Sequence, residues 1–117
     1  MAASLTTRQV ENVTVIDAAG RIVIGESATA LQALLRRLTA EEHKRIVLNL
    51  GGVSFMDSAG IGELVGCYAS ASRKGTKIKI CELTRRVSDL FQVTHIYNIL
   101  DIYQREEDAL QSFRQPR

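Results

Sequence analysis

Tryptophan is absent from this chain of 117 residues, proline occurs once, cysteine twice, and aromatic residues amount to 5%. Two cysteines cannot build a disulfide framework, and Cys67 and Cys81 lack the close pairing of a metal-binding motif. Cys67 falls inside a helical pattern and Cys81 inside an apolar alternation. Both therefore read as small buried hydrophobes, and no metal or cofactor is expected. No apolar run approaches the ~18–20 residues that a membrane-crossing helix requires. The stretch Met1-Ala2-Ala3-Ser4-Leu5 lacks the charged-then-apolar layout of a secretory signal. The expectation is a cytoplasmic protein without membrane contact. An excess of one charge is missing too, since 15 basic residues face 13 acidic ones for a net +2. With no basic block, the electrostatic footprint of direct nucleic-acid binding is absent. Internal repeats and low-complexity stretches are also lacking.

What is present fits one domain. Hydrophobic residues make up 45% and charged residues 24%. A chain of this length buries roughly two-thirds of its unfolded surface on folding. We read residues 1–117 as a single domain with a core over about 9–113.

Strand-like and helix-like segments alternate along it. Val13-Thr14-Val15-Ile16 and Arg21-Ile22-Val23-Ile24 read as strands of a hairpin broken at Ala19-Gly20. Leu31, Leu34, Leu35 and Leu38 form one apolar helical stripe, with Ser27 as its N-cap. Arg45 to Leu50 is nearly continuously apolar, as a central strand covered on both faces should be. Ile61, Leu64, Val65 and Tyr68 repeat the helical spacing from about Ser58, and Gly75 suits the C′ position. Lys77-Ile78-Lys79-Ile80-Cys81 alternates, predicting a strand with Lys77 and Lys79 on a wet face that discourages edge pairing. Val87, Leu90 and Phe91 mark a third helix, Ile99 to Tyr103 a last strand, and Glu106 to Phe113 a last helix. The order β-β-α-β-α-β-α-β-α calls for an α/β fold, with right-handed crossovers and a mixed, mostly parallel sheet carrying about four helices.

One stretch departs from plain packing: Gly51-Gly52-Val53-Ser54-Phe55-Met56-Asp57-Ser58-Ala59-Gly60-Ile61-Gly62. It follows the central strand and leads into the second helix, at the strand ends where ligands and partners meet parallel sheets. Asp57 and Ser58 fall where an N-cap belongs, next to unpaired first-turn amides. Gly60 and Gly62 each cost ~1 kcal/mol in a helix relative to alanine. Two readings account for that cost. In one, a phosphate on Ser58 faces free amides and the positive helix end. In the other, Asp57 or Ser58 simply caps and the glycines pack against a neighbouring strand. Ser54 and Ser88 are further hydroxyls, but neither has such an open helix start.

The run Val53 to Gly62, with its Asp-Ser-Ala-Gly-Ile-Gly core, resembles the phosphorylation-site signature of STAS domains, the bacterial anti-sigma factor antagonists. Ile46 to Leu50 and the tail from Leu90-Phe91-Gln92-Val93-Thr94 through Tyr103 to Ala109-Leu110 are similar to the family as well. The resemblance implies a single STAS-type domain acting in a partner-switching cycle. Unmodified, such an antagonist binds an anti-sigma factor that is also an ATP-using serine kinase, and a sigma factor is freed. The kinase phosphorylates the serine matching Ser58 and the complex parts; a metal-dependent serine phosphatase resets it. The implied partner face comprises Asp57, Ser58, Ala59, Gly60, Ile61 and Gly62, with Gly25, Glu26 and Ser27 from the neighbouring loop. The protein is then a substrate and switch, a monomer or weak dimer, and no enzyme. Two departures stand out. Many antagonists carry a Gly-Glu-Leu-Asp-like stretch where this chain has Gly20-Arg21-Ile22-Val23-Ile24-Gly25-Glu26, and His95 stands where a glycine is common.

Other functions fit less well. A serine hydrolase needs a histidine base, and His43 lies in a polar turn that reads as solvated, while His95 reads as a loop or packing residue. Met56 and Gly60 also break the Gly-x-Ser-x-Gly elbow around Ser58. The glycines match neither a P-loop nor a dinucleotide finger. The alternative within the family is an adaptor or scaffold role in a stress-signalling complex or lipid transporter. Arg36-Arg37 and Arg85-Arg86 read as solvated helix faces.

Overall fold

The hydrophobic alternation in the middle of the chain sorts side chains to two faces of one sheet. In the computed structural model, which describes residues 3–114, strand β3 (Arg45–Met56) lies at the centre. Ile46 and Leu48 enter one apolar cluster while Val47 enters another, as the period of two along a strand requires. Beside β3 run β2 (Val13–Ile22) and β4 (Lys77–Cys81), both parallel to it. The edges are β1 (Ser4–Val10), antiparallel to β2, and the two-residue β5 (Ile102–Tyr103), parallel to β4.

Because the strands lie side by side in chain order, right-handed crossovers place the connecting helices on one face. These are α1 (Glu26–Ala40), α2 (Ser58–Arg73) and α3 (Arg85–Val93). Leu31, Leu35 and Leu38 of α1, Ile61 and Leu64 of α2, and Val87 and Phe91 of α3 share one core with Ile16, Ile46, Leu48, Ile78 and Ile80. Helix α4 (Glu106–Arg114) covers the opposite face, packing Ala109 and Leu110 on Val13, Val15, Val47 and Cys81. Cys67 and Cys81 are both buried free thiols. Polar groups fix α4 in place: Glu106 Oε1 accepts from Arg8 Nη2 at 2.6 Å and from Asn49 Nδ2 at 2.8 Å. Arg8 also meets Asp17, and the Glu106 amide donates to Glu82 Oε2 at 2.7 Å.

The element order stands as read, but several boundaries move. The first hairpin joins β1 to β2, not residues 13–16 to 21–24, and it turns at Glu11-Asn12. Glu11 takes a positive φ of 57° there. Ala19-Gly20 is no turn; β2 runs through it with register irregularities on either side, and Gly20 has φ 93°. The extra residues lie in the partner strand, since β3 advances from Asn49 to Gly52 against Asp17 to Ala19, and from Val53 to Phe55 against Gly20 to Arg21; such irregularities do not end a strand. Gly51-Gly52 likewise stays inside β3. A Cβ on Gly52 would stand 2.8 Å from that of Ala19, so close strand approach explains that glycine. Val23 and Ile24 leave the sheet, and of the span 99–103 only Ile102 and Tyr103 pair; Ile96–Asn98 forms a single 3-10 turn.

Lys79 is the clearest reversal. Its strand face is dry, because α4 lies over it, and the residue is only 8% exposed. Its Nζ donates to Ser112 Oγ at 2.7 Å and stands 4.3 Å and 5.4 Å from the ring centroids of Phe113 and Tyr103. Lys77 remains exposed. The reading of Met1 and Ala2 lies outside the described residues.

Candidate functional site

At the carboxyl end of β3 the chain turns through Asp57 into α2, and Asp57 organises the turn. Its Oδ1 accepts from the Gly60 amide at 2.9 Å, which is N-capping. Its Oδ2 accepts from the Ile24 amide at 2.9 Å, and its own amide donates to the Ile22 carbonyl at 3.3 Å. One side chain thus ties the start of α2 to the loop between β2 and α1. The Ile24 amide, then the Gly60 amide, hold the Asp57 carboxyl below its usual range. It therefore stays ionised at neutral pH.

Ser58 is left free by this arrangement. It is the first residue of α2, it is exposed, and its hydroxyl makes no hydrogen bond among the described residues. Ser54 and Ser88 differ: Ser54 Oγ donates to the Gly20 carbonyl at 3.4 Å, and Ser88 Oγ lies 2.9 Å from Tyr97 Oη. Because Asp57 takes the Gly60 amide and the Ile61 amide bonds the Asp57 carbonyl at 2.9 Å, fewer first-turn amides face Ser58 than the sequence alone suggests. The positive end of the helix dipole remains.

The two glycines have different causes. A Cβ on Gly60 would come within 2.4 Å of the Ile22 carbonyl oxygen, so packing against β2 demands glycine there. Around Gly62 nothing lies within 4 Å, and packing gives it no reason. Gly66, which the sequence reading passed over, is equally open. Ser58, Gly62 and Gly66 recur every fourth residue and are exposed together on one side of α2. Ala59 is half-buried, and Ile61 turns into the core.

The neighbouring loop differs from its reading in one respect. Ser27 does not cap α1; Gly25, with φ 102°, occupies that position without a side-chain bond. Ser27 Oγ instead accepts from the Val23 amide at 2.8 Å and donates to the Val23 carbonyl at 3.0 Å. A hydroxyl bonded back to a preceding residue stiffens the loop locally. Gly25 and Glu26 are exposed, and Ile24, also missed from sequence, is 77% exposed beside them. The positions read as a partner face therefore lie on two segments that Asp57 joins.

Neither histidine bonds Ser58. His43 Nδ1 sits 2.7 Å from Thr14 Oγ1 beyond the opposite end of β3, half-buried rather than solvated, and His95 is an exposed turn residue after α3. Among the described residues no group of three or more His, Cys, Asp or Glu is placed to hold a metal, and no helix is long and apolar enough to cross a membrane.

The STAS domain family model matches residues 4–109. The chain belongs to the STAS domain family. An anti-sigma-B factor antagonist of Bacillus subtilis is 32% identical over 108 residues, spanning 92% of this STAS domain and 97% of the relative. An anti-sigma F factor antagonist of Paenibacillus polymyxa is 34% identical over 67 residues, and that match spans 57% of each chain. Among solved structures, an anti-sigma factor antagonist from Mycobacterium paratuberculosis superimposes with a TM-score of 0.85 at 20% identity, covering 97% of this chain and 96% of its own. The structure of the antagonist SpoIIAA in its unphosphorylated form gives 0.74 at 17% identity, covering 97% and 100%. At these identities the structures speak for the fold.

Proposed function

We propose that this STAS domain is an anti-sigma factor antagonist whose docking face is the Ser58 end of α2 together with residues 24–27, and whose switch is phosphorylation of Ser58. The names of its relatives support the class of function. The observation that carries the switch is the Ser58 hydroxyl: exposed and unbonded at the positive end of α2 while Asp57 does the capping. A phosphate there leaves the cap intact, so the fold tolerates it. The same phosphate adds about 1.5–2 negative charges beside an ionised Asp57. A partner seated on that surface loses its fit through charge and bulk.

The cycle follows in the cytoplasm. An anti-sigma factor with ATP-dependent serine kinase activity binds the bare face, releases its sigma factor, and ends the contact by phosphorylating Ser58. A serine phosphatase restores the bare face. The domain itself binds and is modified, and it reaches transcription without touching nucleic acid.

The test is a pull-down from host lysate with Ser58→Ala and Ser58→Asp baits, read by mass spectrometry. Capture of an ATP-binding kinase by the alanine bait alone is the expected result. Recovery of one permease or scaffold by both baits sinks the switch and leaves an adaptor.

A further inference from the structure

The rim that carries Ser58 also holds two stacked cations. Phe55, near the end of β3, has the Arg21 guanidinium carbon 5.0 Å and the Arg86 guanidinium carbon 5.2 Å from its ring centroid. Arg21 comes from β2, whose register sets it beside Phe55. Arg86 comes from the first turn of α3, which is tied to β3 by Thr84 Oγ1 donating to the Val53 carbonyl at 2.9 Å. Both arginines are exposed, and neither forms an ion pair among the described residues. Glu26 lines a cleft of about 340 Å³ with Arg21 and Ile24 yet makes no ion pair with it.

The chemistry of this stack is specific. Both guanidinium carbons stand over the Phe55 ring, and neither side chain donates a hydrogen bond among the described residues, which leaves the N–H edge of each free. That edge matches a carboxylate through two parallel hydrogen bonds. Two like charges held against one ring repel each other, and an incoming carboxylate relieves the repulsion. The stack is also close to the switch. Ile22, next to Arg21, supplies the carbonyl that meets the Asp57 amide and abuts Gly60. Phe55 precedes Asp57 by two positions.

We infer that the Arg21–Phe55–Arg86 stack is a recognition element for a carboxylate-bearing segment of the protein that docks at Ser58. That one partner covers both places rests on the function proposed above; the preference of the stack for carboxylates does not. Phosphate on Ser58 then places a competing negative charge on the rim that draws the partner in, which couples modification to release.

The experiment is a titration of the ¹⁵N-labelled full chain with a capped hexaglutamate peptide, following backbone amides and arginine Nε–H signals. The expected perturbations gather at residues 20–24, 54–57 and 85–87 and fade with added salt, since exposed charges are screened within ~8–10 Å. Arg21→Glu combined with Arg86→Glu weakens binding roughly fivefold or more, while Arg36→Glu on α1 leaves it unchanged. Perturbations gathering at Lys44, Arg45 and Lys77 around the cavity at the opposite end of the strands, or binding that survives the double reversal, overturn the inference. Peptide held at the stack when no kinase is recovered by Ser58→Ala supports the stack and removes the switch. A kinase recovered while the peptide ignores the stack does the reverse.

Discussion

Asp57 Oδ2 accepts the Ile24 amide at 2.9 Å across 33 residues of chain, while its other oxygen caps α2 through Gly60. Both segments of the proposed docking face thus hang on one carboxylate. Asp57→Ala is expected to leave the sheet intact and to raise hydrogen exchange at the Ile24 and Gly60 amides well above that of Ile80. Asp57→Asn keeps one acceptor and loses protection at one of the two. The wild-type contribution has a defined pH window. Because the folded carboxyl titrates below its ordinary value, its stabilisation is fully present above about pH 4 and is lost as pH falls through the lowered value. Amide protection at residues 24 and 60 should fall in that acid range, and in Asp57→Asn it should not change there. Equal protection in Asp57→Ala and wild type would refute the clamp.

The glycines of α2 separate packing from docking. Gly60→Ala drives a methyl into the Ile22 carbonyl and is expected to cost about 1–3 kcal/mol, the usual range for overpacking against a surround that cannot yield. Gly62→Ala meets nothing and should stabilise the helix by up to ~1 kcal/mol through propensity alone. If the exposed side of α2 is where the partner sits, Gly62→Ala also weakens capture of the kinase despite the more stable fold. Thermal denaturation paired with the pull-down reads both effects. Full capture by Gly62→Ala would move the docking face off this side of α2.

His95 sits in the left-handed region with φ 61°, where a Cβ costs roughly 1–2 kcal/mol. Its side chain is exposed and makes no hydrogen bond among the described residues. His95→Gly relieves that strain but adds freedom to the unfolded chain worth ~0.4–1 kcal/mol. The net expectation is a gain of about 0.5–1 kcal/mol, read as a rise in melting temperature of a few degrees. His95→Val should move it the other way. A lower melting temperature for the glycine variant would show that the imidazole does work in the folded state.

How far the sequence carried the reading depends on which signal each residue sends. The helical stripes at Leu31–Leu38 and Ile61–Tyr68, and the apolar run before Gly51, gave α1, α2 and the centre of β3 directly. The turn at Asp57-Ser58 was legible because capping chemistry is local. β1 was not, because Ser4–Val10 is a mostly exposed edge strand without alternation, joined by a Glu-Asn turn that lacks the usual glycine. Lys79 misled because its burial depends on α4, 27 or more residues later in the chain. The Arg21–Phe55–Arg86 stack was out of reach for the same reason, since only the sheet register and the docking of α3 bring these three together.

The two cysteines, grouped from sequence as buried hydrophobes, should differ in chemistry. Burial, with Glu106 and Glu82 adding to it, pushes the Cys81 thiol up to about 12, and burial, with Glu63 adding to it, gives a smaller rise at Cys67. The thiolate is the reactive form, so at pH 8 roughly one Cys81 in ten thousand is poised to react, even before its zero exposure is counted. Cys67, at 8% exposure in the groove between α2 and α1, is slowed less. In iodoacetamide at pH 8 the native chain is expected to gain one adduct slowly, at Cys67, while the urea-unfolded chain gains two at the rate of a free thiol. Modification of Cys81 should therefore report opening of α4 from the sheet, because that helix is what covers it. Weakening the anchor with Arg8→Gln, which takes the guanidinium away from Glu106 and Asp17 and by its charge alone only raises the Cys81 thiol further, should speed Cys81 labelling and leave Cys67 unchanged. Labelling of both cysteines sped up alike would mean that α4 opens only when the whole domain unfolds.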